Sequence, residues 1–198
     1  AGSGAFFDMN ASNRRPEGWT SADAAGLAIL PGLVRYDEAC GTAEIAHALR
    51  VTVRATNGHV YPASHTAGST AGALPMGARL RLKASTDISE TLFSDPCVRR
   101  VFRAMKKHGL IVADNGSDMY VTGTFDLQWP ARFDAGFHPQ FKTLRASDFE
   151  VVQLGWMGVR LDAKANAAGA REIGVAGARV RLMVVPTNEE LMIAREVM

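Results

Sequence analysis

Three carboxylates, Asp23, Asp37 and Glu38, lie in one apolar stretch broken by Gly26, Pro31 and Gly32. Two carboxyl groups facing a cleft can act as general acid and base on a glycosidic bond when burial raises the pKa of one of them. His47 lies on the apolar face of the alternating run 44–54, and His65 follows Tyr61-Pro62-Ala63. Either imidazole could serve as a base near neutral pH. Each residue also has a plainer reading: Asp23 bracing a tight turn, Asp37-Glu38 as a solvated pair, and His47 as a neutral core residue with a backbone partner. If the chain is catalytic, Asp23, Asp37, Glu38, His47 and His65 are the set expected to supply the chemistry.

A second set is suited to binding. Arg79, Arg81 and Lys83 project from one face of a short alternating run, and Arg50 and Arg54 from one face of another. Neighbouring strands would join them into a basic patch for an acidic glycan or a phosphate. A solvated or internally paired sheet face is the alternative. Trp19 and Tyr61 could stack on sugar rings, as could Trp129 and Trp156, though core packing accounts for such residues equally well. The ligand-binding residues expected are therefore Arg79, Arg81, Lys83, Trp19 and Tyr61. No His pair has zincin spacing, and no phosphate-cradling Gly loop or dinucleotide fingerprint occurs, so no metal or cofactor is expected. Ser21 and Ser117 lack a G-x-S-x-G elbow. Cys40 and Cys97 have no C-x-x-C spacing; they fit one disulfide or two separate buried thiols.

The elements that would position these groups are mostly short. Strict alternation over residues 44–54 and 78–84 predicts strands of one sheet, burying Leu49, Val51, Leu80 and Leu82. Residues 94–109 predict an amphipathic helix, with a capping residue and Pro96 at its start, Val98, Val101, Phe102 and Met105 at helical spacing, and Lys106, Lys107 and His108 in its last turn. Asn115-Gly116 between the runs 110–113 and 119–123 predicts a hairpin. Residues 5–9, 59–63, 148–154 and 179–185 read as further strands, 129–139 as irregular, 163–177 as a linker or loop, and 187–198 as a helix opened by Thr187 and Glu190. Many short strands around one mid-chain helix point to a mainly β domain, a β-sandwich or jelly roll, with α+β as the alternative.

Composition agrees with a folded domain. The 198 residues are 47% hydrophobic and 21% charged, enough to bury a core without staples. A net charge of +2 gives no reason to expect nucleic acid. The longest apolar stretch, 24–34, is too short and too broken to span a bilayer.

Several longer motifs occur in order: Gly18-Trp19-Thr20-Ser21-Ala22-Asp23-Ala24-Ala25-Gly26, Ile29-Leu30-Pro31-Gly32-Leu33-Val34-Arg35-Tyr36-Asp37-Glu38, His47-Ala48-Leu49-Arg50, Met76-Gly77-Ala78-Arg79 leading to Arg81-Leu82-Lys83-Ala84, and Ile111-Val112-Ala113-Asp114-Asn115-Gly116-Ser117. Through them residues 1–153 resemble a family of uncharacterised, mostly secreted bacterial proteins. The resemblance implies an extracellular or periplasmic location and no particular activity. Members carry a strand-rich region before the equivalent of Ala1, so it also implies that residues 1–154 are the later part of a β-rich domain. That domain would need its N-terminal remainder or a partner chain. Residues 155–198 form a tail outside the resemblance. The function expected is a carbohydrate-active or carbohydrate-binding secreted domain with a glycan as partner. The competing expectation is a structural or adhesive surface component without catalysis.

Overall fold

The computed structural model describes residues 4–8, 10, 14–152, 162–170 and 172–176. The chain divides into two compact units, Ala1–Val152 and Gln153–Met198.

The first unit is built on one mixed sheet. Its strands are β1 (Leu49–Val53), β2 (Arg79–Leu82), β3 (Leu110–Asn115), β4 (Tyr120–Val121) and β5 (Phe149–Val151), in the order β4-β1-β3-β2-β5. β1 and β3 run parallel, pairing Leu49 with Leu110 and Val51 with Val112, and the register shifts after Val51. The other pairs are antiparallel. The helices are α1 (Tyr36–Cys40), α2 (Pro96–Lys107), α3 (Trp129–Asp134) and α4 (Phe137–Phe141). In the second unit the described residues include α5 (Ala163–Ala167). The expected strand 179–185 and helix 187–198 lie outside the described residues.

The mainly β expectation is corrected: among the described residues this is an α+β arrangement with one sheet. A sandwich needs a second sheet to cover the first. Here the cover is α2, which turns Val98, Val101, Phe102 and Met105 into the core beside Leu49, Val51, Leu80, Leu82 and Leu110. The helix follows from its sequence. The Asp95 carboxylate accepts from the Cys97 N–H at 2.8 Å, Pro96 occupies the first turn, and Gly109, at φ 79°, follows the end of the helix. A Cβ at Gly109 would stand 2.4 Å from the Leu80 carbonyl oxygen, so the chain can turn into β3 only without one.

The expected 115–116 hairpin is also corrected. β4 pairs with β1, and the slot beside β3 is filled by β1 itself. The connecting loop wraps the end of β1. Met119 N–H donates to Thr52 O, Gly116 N–H to Val53 O, and Thr52 Oγ1 to Ser117 O. Asn-Gly chemistry makes the turn, but long-range pairing chooses the partner. Residues 5–8 form no strand, and the 59–63 run contributes a single bridge, His59 to Met76. Residues 129–139, expected to be irregular, hold α3 and most of α4.

Candidate functional site

The first unit holds an apolar cleft of about 750 Å³. That size suits a small organic ligand. Its walls come from α2 (Val101, Met105), β4 (Tyr120, Val121), α3 (Trp129, Phe133), α4 (Phe137, Phe141), and Leu110, Met119 and Phe149. The aromatic rings interlock. Trp129 stacks on Phe133 with centroids 5.6 Å apart at 11°, and meets Tyr36 and Phe137 edge-on. Phe137 stacks on Phe141 at 5.6 Å and 12°. Trp129 Nε1–H donates to Thr124 O at 3.0 Å, which fixes the indole. The 122–124 segment is in turn held by Val34, whose N–H donates to Thr122 O and whose carbonyl accepts from Thr124 N–H. Polar groups are few. Asp118 and Asp126 come from the loops, and His138 and Lys142 from α4 and its end. None of Asp23, Asp37, Glu38, His47, His65, Arg79, Arg81, Lys83, Trp19 and Tyr61 lines this cleft; Trp129, considered from sequence for stacking on a sugar ring, does.

Those residues fall into separate clusters. Asp23 is buried in the turn 21–27, where its Oδ1 accepts from Leu27 N–H at 3.0 Å and Ser21 Oγ donates to Leu27 O at 2.6 Å. Its other oxygen has no hydrogen-bond partner and stands 3.6 Å from the Arg50 guanidinium. Arg50 also faces Asp114 at 3.8 Å and donates to Thr122 Oγ1 at 3.0 Å. Burial pushes the Asp23 carboxyl above its usual range, outweighing the Leu27 N–H and the Arg50 charge. Close packing permits the cluster: a Cβ on Gly32 would sit 3.1 Å from Arg50 Cβ.

Glu38 belongs to a different group. It pairs with Arg35 and receives His47 Nε2 at 3.1 Å, while His47 Nδ1 lies 2.9 Å from the Ala48 carbonyl oxygen. Asp37 is exposed, 4.0 Å from Arg35. His65 Nδ1 reaches the Ala24 carbonyl at 2.9 Å. The structure thus brings Glu38 to His47, and Asp23 to Arg50 and Asp114, but does not gather the five expected residues at one opening.

The basic face is internally satisfied. Arg79 donates to His108 O at 2.9 Å, Arg81 pairs with Glu150 on β5, and Lys83 donates to Ser147 O at 2.8 Å. Strand β3 separates β1 from β2, so Arg50 and Arg79 do not share neighbouring strands. Trp19 and Tyr61 are exposed, each beside an arginine: Arg15 over Trp19 at 5.0 Å and Arg14 over Tyr61 at 5.9 Å. Cys40 and Cys97 form a disulfide that joins α1 to the start of α2.

Sequence reasoning named Trp129 as a stacking candidate but missed the aromatic cleft around it. One signal was present: Trp129, Phe133, Phe137 and Phe141 recur every fourth residue, the spacing of one helix face. Pro130, Gly136 and Pro139 hide it by splitting the run into two short helices.

Comparison with curated proteins finds partial matches to acetate kinases. That of Rhizobium meliloti is 36% identical over 118 residues, 56% of this chain and 27% of the relative. That of Nitrobacter hamburgensis is 35% identical over 114 residues, 58% and 24%. That of Heliobacterium modesticaldum is 57% identical over 44 residues, 22% and 11%. The chain spans about a quarter of the length of the first of these relatives. No family model matches the chain, and no solved structure matches it. The expectations of a secreted carbohydrate-active or carbohydrate-binding domain, or of an adhesive surface component, are corrected by these matches to acetate kinases. The expected extracellular or periplasmic location, which rested on the resemblance to secreted proteins, is corrected with them. Among the described residues no helix is long and apolar enough to cross a membrane.

Proposed function

We propose that this chain is a ligand-binding portion of a kinase-like metabolic enzyme, one that transfers a phosphoryl group to or from a small carboxylate. The observation that carries the reading is the match to acetate kinases over more than half of the chain. The aromatic cleft is the site assigned to the ligand. Its stacked rings suit a flat, apolar ring system such as a nucleobase. Lys142 supplies the charge that a phosphate or carboxylate needs, with the His138 ring beside it as a hydrogen-bonding group. Phosphoryl transfer rests on positioning and on charge placed against the transferring group, and it needs more groups than this cleft offers. Those groups would come from the remaining three quarters of an acetate-kinase-like protein, carried on a longer chain or a partner.

The test has two parts. Titration of the chain with ATP, ADP and acetyl phosphate should quench Trp129 fluorescence, and Trp129→Phe should remove that response while Trp19 and Trp156 continue to emit. The intact protein should form acetyl phosphate from acetate and ATP in a hydroxamate-trapping assay. A protein that neither binds a nucleotide nor makes acetyl phosphate would overturn the reading.

A further inference from the structure

Cys97 occupies the first turn of the twelve-residue helix α2, directly after the capping Asp95 and Pro96. Its sulfur has a second, independent set of donors. Arg132 on α3 directs Nε and Nη2 at Cys97 Sγ, at 3.2 and 3.0 Å. Arg132 also lies 3.8 Å from the Asp95 carboxylate, which helps to hold the guanidinium over the sulfur. The two halves of the disulfide are therefore unlike. Cys97 is almost wholly buried, beneath a guanidinium and at the N–H end of a helix. Cys40 ends the short helix α1, is partly exposed, and receives no hydrogen bond at its sulfur among the described residues.

We propose that the Cys40–Cys97 disulfide is a site of thiol–disulfide exchange for small thiols, with Cys40 as the sulfur attacked and Cys97 as the leaving group. An incoming thiolate forms a new S–S bond to Cys40 Sγ, the Cys40–Cys97 bond breaks, and its electron pair leaves on Cys97 Sγ. Two charged donors from Arg132 and the helix N-terminus receive that negative charge. A second thiol then attacks the small-molecule sulfur of the mixed disulfide. This frees Cys40 as a thiolate and releases the oxidised small disulfide, so that two electrons have passed to the protein. Exchange proceeds faster when the leaving thiolate is stabilised and the attacked sulfur is reachable. In a protein of the kind its relatives represent, a disulfide is more often a transient redox element than a permanent staple.

The experiment treats the oxidised chain with glutathione, quenches with iodoacetamide at early times and maps the adducts by mass spectrometry. Glutathione should be found on Cys40 and the carbamidomethyl group on Cys97. Glutathione found mainly on Cys97 would overturn the proposal. Reduction by dithiothreitol should slow about tenfold in Arg132→Gln, the low end for lost charged hydrogen bonds. Arg132→Lys should recover part of the rate, with circular dichroism confirming that each variant is folded. An Arg132→Gln rate equal to wild type, or no recovery in Arg132→Lys, would also overturn it. The adduct position is read on the unmodified sequence, so the proposal stays testable even if a variant fails to fold.

Discussion

Replacing Phe102 by Ala should destabilise the first unit by about 3–5 kcal/mol. The ring is fully buried on α2, where it meets Phe93 edge-on at 5.1 Å and 89°, and Phe141 at 5.6 Å and 39°. Ring pairs of this kind add about 0.5–1.5 kcal/mol beyond the area they bury, which favours the upper half of the range. Phe93 and Phe141 belong to segments tied down elsewhere, so the space cannot collapse freely. Phe93 N–H donates to Ser89 O, and Phe141 stacks on Phe137. A loss of about 4 kcal/mol moves the urea midpoint down by roughly 2 M at a slope of about 2 kcal/mol per M. Phe102→Leu is the control, since it keeps most of the volume and should cost less than about 1.5 kcal/mol. The two variants and the parent chain would be compared by urea denaturation, followed by circular dichroism. If Phe102→Ala cost no more than Phe102→Leu, or shifted the midpoint by less than about 1 kcal/mol allows, then α2 would not present this face to the core.

Asp23 gives a pH prediction. Burial raises its folded-state pKa above the ordinary range of an aspartate, so the folded chain binds this proton more tightly than the unfolded one. Stability from this group is therefore greatest at low pH, and it falls as pH rises from the unfolded value through the raised folded one. Asp23→Asn should gain on the wild type across that interval in urea titrations at several pH values; parallel curves would contradict this. Gly26 and Gly18 both have φ near 78°, yet a Cβ on Gly26 would stand 2.2 Å from Ser64 Oγ, while one on Gly18 would meet nothing within 4 Å. Gly26→Ala should accordingly lower the thermal midpoint well beyond Gly18→Ala, which carries only backbone strain of about 1–2 kcal/mol; equal losses would refute the packing at Ser64. The Arg103–Glu44 pair is about half exposed to solvent, so Arg103→Ala should change stability by less than about 1 kcal/mol. A larger loss in chemical denaturation would show that the arginine stem also packs.

Local patterning made α2, β1 and β2 legible. Apolar residues recur at helical spacing in the first and at period two in the others, and Leu49, Val51, Leu80 and Leu82 are all buried. The strands are shorter than the alternation suggested. His47 ends outside β1 because its ring turns to Glu38 and to a backbone carbonyl. The capping residue of α2, left open between Ser94 and Asp95, is Asp95. Topology was not legible: Asn115-Gly116 specifies a turn but not which strand the returning chain will join. The Asp23–Arg50–Asp114 group was equally hidden, because its members come from a loop and two strands far apart in sequence. Backbone groups of the 18–26 motif hold its path in place, binding Gly18, Trp19 and Ala25 to Ser64. A distinctive motif of this kind can mark a demanding backbone path as readily as a reactive centre.

The pairing of β1 with β3 has a kinetic consequence. The centre of the sheet joins Leu49 to Leu110 and Val51 to Val112, contacts that a searching chain meets late because a long loop must close first. The Cys40–Cys97 bond spans 57 residues on nearly the same path. Chain statistics put the entropy removed by such a crosslink at about 4 kcal/mol at room temperature. With the bond in place, α1 is already tethered to the start of α2 before β1 and β3 meet. The oxidised chain then searches a much smaller conformational space for its central strand pair than the reduced chain does, and its folding should be correspondingly faster.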